Sequence, residues 1–219
     1  MLLRFSVENF RSFKDRTELS LIPSKVRRHP HHVIKPKNQS DIGVLKSAVI
    51  YGANASGKSN LIKAMKHAQM MVNSGVKSGQ KLPFNPFNLD NQCLSKPSRF
   101  EFEIKCGQHN FAYGFIADSK IIHEEWLYKI DKNKDMMVFE RTLVDGKAHF
   151  NFDQIKFKNK EHQLYLTFTG KGTPENRLFI NECIERNVTT EIDYLTEITL
   201  TINFTRNDFS KITDKVIIQ

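Results

Sequence analysis

One octapeptide, Gly52-Ala-Asn-Ala-Ser-Gly57-Lys58-Ser59, constrains this chain more than any other stretch. It follows the apolar run Ala48-Val-Ile-Tyr51 and precedes Asn60-Leu-Ile-Lys-Ala-Met65. The pattern G-x-x-x-x-G-K-[ST] therefore lies between an expected strand over 47–51 and an expected helix from about Lys58 to Val72, the setting a phosphate-binding loop requires. Glycines let the backbone curl so that successive N–H groups face an anion. Lys58 is placed to reach β- and γ-phosphate oxygens, Ser59 to offer its hydroxyl to Mg²⁺, and the helix to add its positive end. The nucleotide-contacting set expected from the motif is Gly52, Asn54, Ala55, Ser56, Gly57, Lys58, Ser59 and Asn60, with ATP and Mg²⁺ as ligands.

With 219 residues, 39% hydrophobic and 26% charged, the chain has the composition of a globular protein able to bury a core. No apolar run approaches the roughly 20 residues of a membrane-spanning helix, and the N-terminal decapeptide lacks the pattern of a secretory signal. A cytoplasmic location without membrane contact is the expectation. The three cysteines, Cys93, Cys106 and Cys183, are too scattered for a disulfide framework or a zinc site of their own. His29, His31 and His32, with neither carboxylate nor cysteine beside them, read as part of a solvated loop rather than a metal site. The net charge of +9 has a local component, because Lys25, Arg27, Arg28, Lys35, Lys37 and Lys46 are opposed only by Asp41. That segment is either a flexible basic loop or a contact to DNA or RNA.

Along the chain, strands are expected at 2–10 and 16–23, joined by a turn at 11–15, with a polar loop over 24–45. In the helix after the phosphate loop, Leu61, Met65, Ala68 and Val72 form one apolar stripe, and Asn73-Ser74-Gly75 ends it. Beyond a linker at 77–86 the pattern turns to β. Residues 99–105 and 109–115 alternate cleanly about a turn at 106–108, and 121–130 and 136–143 form a second hairpin. Further strands are expected at 148–157 and 163–168, a short helix at 175–186, and a strand at 194–204 by propensity. The 17 phenylalanines suit core packing.

The order Asn9-Phe-Arg11-Ser-Phe13, then Ile50-Tyr-Gly52 through Lys58-Ser-Asn60-Leu61, resembles ABC-type ATPases of the RecF, SMC and OLD kind. It is most similar to bacterial ATP-binding proteins of anti-phage and abortive-infection systems, including those of the retron and Septu type. Pro86-Phe-Asn-Leu-Asp90, Phe100-Glu-Phe-Glu-Ile104, Tyr113-Gly-Phe115, Glu125-Trp-Leu-Tyr128 and Phe139-Glu-Arg141 follow in the order such proteins show. The resemblance implies an α/β P-loop NTPase fold, the N-terminal lobe of an ABC-type head with an antiparallel β subdomain. Its expected division is 1–75 (strands, phosphate loop, first helix), 76–170 (mainly β) and 171–219 (helix and strand leading to a further lobe). It also implies ATP held between two heads in a dimer, Arg11 near the phosphates, and Gln92 as the glutamine that helps hold Mg²⁺.

The chain departs from that pattern where catalysis would be completed. An apolar segment ending in Asp-Glu, a signature helix and a switch histidine are all missing from it. His123-Glu124-Glu125 is the nearest acidic pair, and the run before it is short. No catalytic residue is therefore assigned within the chain, which is expected to bind ATP better than it cleaves it. The leading expectation is an ATPase that controls a DNA-maintenance or anti-phage complex, with a nuclease effector as its partner. Two alternatives differ in class: a nucleic-acid-binding module in which ATP is only a regulator, and a small P-loop kinase. The β-rich second half argues against the kinase.

Overall fold

Alternation of large apolar and charged residues builds most of this molecule. In the computed structural model, strands form at Leu2–Glu8 (β1), Thr17–Ser20 (β2), Val33–Ile34 (β3) and Val44–Leu45 (β4), and helices at Lys58–Asn73 (α1) and Asn91–Leu94 (α2). Strands Ser98–Cys106 (β5), His109–Ala117 (β6), Ile122–Ile130 (β7), Met136–Val144 (β8) and Lys147–Asn151 (β9) follow, then helices Lys160–Lys171 (α3) and Phe179–Glu185 (α4). The structure describes all residues except 26–27, 37–40, 132–133, 153–154, 156, 158, 189–197, 199–200 and 203–219.

Seven strands form one antiparallel sheet in the order β2-β1-β5-β6-β7-β8-β9, and β3 pairs with β4 apart from it. Register puts Phe5 opposite Phe102, Phe102 opposite Tyr113 and Tyr113 opposite Leu127, so one face is continuously apolar. Helix α1 packs its stripe Leu61, Ala64, Met65, Ala68, Met71 and Val72 into the same core, joined by Leu166 of α3 and Phe179, Ile180 and Cys183 of α4. The opposite face carries the charged half of the alternation, with ion pairs Arg4–Glu18, Arg4–Glu103, Arg16–Glu101 and Arg99–Glu101. There Trp126 lies flat over Gly114. A Cβ at that glycine would stand 2.2 Å from the indole.

Four expectations need correction. Residues 47–51 are not a strand: they have no sheet partner among the described residues, and Val49 and Tyr51 are 61% and 83% exposed. Residues 163–168 lie in α3, because Asn159 caps that helix by accepting from the His162 N–H at 2.9 Å. In 194–204, the described residues Ile198, Thr201 and Ile202 are helical, and the two isoleucines are fully buried; the rest lies outside the described residues. The expected helix at 175–186 begins only at Phe179, for a reason that lies in the sheet.

That reason is a buried ion pair. Glu125 on β7 accepts from the N–H groups of Phe179 and Ile180 at 2.5 and 3.1 Å, and from the Tyr113 hydroxyl at 3.0 Å. Arg141 on β8 stands 3.9 Å from Glu125 and donates to the carbonyls of Arg177, Pro174 and Glu175. A strand carboxylate thus caps α4 in place of a local side chain, while the arginine holds the preceding turn out of helix. Burial raises the Glu125 pKa, against the pull of Arg141 and its N–H donors. The pair Glu124-Glu125 is accordingly no metal-binding terminus: the two carboxylates leave β7 on opposite faces, and Glu125 is fully engaged.

Candidate phosphate-binding site

Two backbone turns build the loop at the head of α1. Ala55 takes φ 65° and Gly57 takes φ 95°, both in the left-handed region. The Ser56 N–H bonds the Ala53 carbonyl at 3.2 Å and closes the first turn. A Cβ at Gly52 would come within 3.0 Å of the Ser56 hydroxyl, and one at Gly57 within 3.4 Å of Ser12 in an already strained backbone. The left-handed backbone therefore requires glycine at Gly57, whereas at Gly52 a side chain would have only to push the Ser56 hydroxyl aside.

Gly57 is the N-cap of the 16-residue helix α1, which has no side-chain cap and no acidic residue in its first turn. Its positive end is left unneutralised by the protein, as an anion site needs. Lys58 folds back over the loop, its Nζ donating to the carbonyls of Gly52 at 2.6 Å and Ala53 at 2.9 Å. These contacts are displaceable, and a phosphate offers the ammonium a charged acceptor in their place. Ser59, in the first turn of α1, is exposed. Its hydroxyl is the hard oxygen donor that Mg²⁺ prefers. Asn54, Ala55 and Ser56 line the exposed rim.

The first turn of the chain docks on this loop. The Asn60 carboxamide donates to the Ser12 hydroxyl, and Ser12 packs against Gly57. Arg11, at φ 53°, is held by its N–H to the Asn85 carbonyl at 2.8 Å, with its guanidinium 5.6 Å from the Phe10 ring. Asn9 is the anchor. In a left-handed conformation at φ 49°, it donates to the carbonyls of Cys93 (2.9 Å), Lys96 (2.8 Å) and Pro97 (3.2 Å), and it accepts from the Phe87 N–H at 3.1 Å. Lys14 pairs with Asp90 at 2.8 Å, and Asp90 caps α2 through the Gln92 N–H. The Asp90 pKa is held down by Lys14 and by that backbone N–H.

The structure thus gathers Arg11, the phosphate loop and the short helix carrying Gln92 at one corner of the molecule. Gln92 is exposed and joins that corner through Asp90 and Lys14 rather than by contact with Ser59. Ser12 and Asn9 were not among the residues expected at the site. The motif around Asn9 was visible, but its partners lie 78 to 88 residues away, beyond any local pattern.

Residues 47–155, just under half of the chain, match a family model described as "AAA domain, putative AbiEii toxin, Type IV TA system". The chain carries a P-loop ATPase-type domain. The match begins in the segment before the phosphate loop and runs through α1, α2 and β5 to β9, so it covers the loop and most of the sheet together. No curated protein matches the chain. A domain of this type implies nucleotide binding, usually with Mg²⁺. Among the described residues, no helix is long and apolar enough to cross a membrane.

Proposed function

We propose that this chain binds Mg-ATP at Gly52 to Ser59 and is the nucleotide-binding half of an ATPase whose hydrolytic groups lie outside the described residues. One observation carries the reading: a glycine-shaped loop capping α1, with Lys58 folded across it and no acidic side chain in the helix's first turn. Asn54, Ala55, Ser56 and Asn60 would contact the nucleotide beside the glycines. Arg11 would approach the phosphates from the docked turn, and Ser59 would ligate Mg²⁺ with Gln92 nearby.

The exposed segment 47–51 supports the incomplete half-site. The run before a phosphate loop is normally a buried strand, and here Val49 and Tyr51 lack cover. Further sheet from another lobe would cover them, and two such heads would close on ATP. Hydrolysis would then reset a DNA-maintenance or anti-phage complex that includes a nuclease effector.

Titration of Mg-ATP into the 219-residue chain, beside Lys58→Ala, tests this. Saturable binding should weaken on the order of 10- to 100-fold in the variant, the worth of hydrogen bonds to a charged partner, and turnover should be negligible in both. Lys58-dependent hydrolysis by the isolated chain would place the missing catalytic groups within it and end the half-site reading.

The nucleic-acid alternative has its own observation. Lys25, Arg28 and Lys35 are exposed, while Asp41, the carboxylate expected to oppose them, is paired with buried Lys105. Arg27 and Lys37 lie outside the described residues. Neutralising Lys25 and Arg28 should weaken DNA or RNA binding and flatten its salt dependence. Affinity unchanged by that double variant would eliminate this reading.

A further inference from the structure

The tract expected to be a solvated loop, His29-Pro30-His31-His32, does not hold its imidazoles apart. Pro30–His32 forms a single 3₁₀ turn, preceded by His29 in a left-handed conformation at φ 57°, ψ 56°. The His32 N–H closes the turn on the His29 carbonyl at 3.0 Å. The three rings consequently meet: centroids are 5.7 Å apart for His29 and His31, 5.9 Å for His29 and His32, and 4.2 Å for His31 and His32. One ligating nitrogen from each lies within 4.8 Å of the others. Nitrogens around one tetrahedral Zn²⁺ stand ~3.4 Å apart, given a metal–nitrogen bond of about 2.0–2.1 Å. All three side chains are exposed, so the rings have solvent-filled space in which to turn toward a shared ion.

We propose that His29, His31 and His32 form a binding site for a divalent d-block cation of the zinc class. Imidazole is the ligand such ions share, and hard Mg²⁺ is excluded by its preference for oxygen. Three imidazoles leave the remaining coordination positions to water, so the site is open rather than closed on four protein ligands. Nearby Lys25, Arg28 and Lys35 oppose a cation, which sets the affinity below that of a site with thiolates or carboxylates. The location gives the ion a consequence. The Lys46 N–H donates to the His32 carbonyl at 2.8 Å, and β3 and β4 pair directly beside it. A metal would therefore stiffen the 3₁₀ turn that abuts this hairpin, whose second strand ends seven residues before Gly52.

The test uses Zn²⁺, and Co²⁺ as its spectroscopic substitute, on the full 219-residue chain purified without a histidine tag. The chain should bind one Zn²⁺ saturably. Replacing even an outer partner of a metal ligand weakens binding about 10- to 100-fold, so His29→Ala, His31→Ala and His32→Ala should each lose at least tenfold. The triple variant should lose the site and the visible Co²⁺ band. Because all three side chains are exposed, far-UV circular dichroism should not change, and His31→Gln provides a second variant that keeps side-chain bulk. An absence of saturable binding, or one equivalent of Zn²⁺ retained by the triple variant, overturns the proposal. Retention would assign the ion to Cys93, Cys106, Cys183 or the other histidines.

Discussion

Asn9 and His67 show how single residues hold the candidate site. Asn9 accepts the left-handed backbone that most side chains avoid, and its carboxamide bonds four backbone groups of the 87–97 segment. His67, on α1 beneath that turn, lies between Phe10, Phe84 and Phe100, with ring centroids 4.8, 4.9 and 5.4 Å away. Burial pushes its pKa down to about 4, and Arg11 adds to the shift. The unfolded chain takes up this proton from about pH 6.5 downward, whereas the folded chain resists until about pH 4. Stability from this group is therefore fully present above pH 6.5 and is lost as pH falls to 4. The loss totals about 3 kcal/mol at most, at a slope of about 1.4 kcal/mol per pH unit. Urea midpoints of wild type and His67→Phe between pH 7.5 and 4.5 check this: the wild-type curve should fall more steeply, and parallel curves would refute it. The phosphate-loop glycines were legible in the sequence because their backbone demands are local. His67 was not, because its shift arises from burial among rings brought together by the turn after β1, by β5 and by the 77–86 linker.

At the scale of elements, what could be read depended on where each element's boundary is decided. The clean alternation in β5 and β6 places Phe100, Phe102, Ile104, Phe111, Tyr113 and Phe115 inward, and the sheet follows it. The β8–β9 turn also carried a signal, Asp145-Gly146, with φ of 50° and 72°. That pair is the signature of a two-residue hairpin, and it ends β8 at Val144. Helix α3 was concealed by the strand-like run Leu164-Tyr165-Leu166-Thr167-Phe168, and Asn159 was the cap that betrayed it. The start of α4 had no local signal at all, since its cap is Glu125, more than fifty residues upstream. Removing that carboxylate by Glu125→Ala leaves Arg141 buried without its counter-charge and two N–H groups unpaired. A loss of about 3–5 kcal/mol is expected, read as a lower urea midpoint. The double variant Glu125→Leu with Arg141→Met should cost less than the two single changes added together, because it strands neither charge. Strict additivity would mean that the two side chains act independently.

The whole molecule is a large antiparallel sheet with helices on one face, and its phosphate loop lies at the end of a segment that this sheet does not reach. The seven strands begin with β2 and finish with β9, so 47–51 pairs with neither edge among the described residues. Ala48-Val-Ile-Tyr51 is a continuous apolar run rather than an alternating one, and such a run forms a strand only where sheet neighbours and covering layers take up both its faces. For that reason the expected strand failed to form although its residues favour one. An exposed, strand-competent segment carrying Val49 and Tyr51 is also a template for pairing with another chain. The 219-residue chain is therefore expected to self-associate through it as concentration rises, without nucleotide, and Val49→Lys should suppress that association. Sedimentation velocity across a concentration series, with and without Mg-ATP, separates this from ATP-driven head closure. Association by segment 47–51 should respond to Val49→Lys and persist without ATP, whereas head closure should require ATP and Lys58. If Val49→Lys leaves ATP-independent association unchanged, that association runs through another surface and the exposed segment is not its cause.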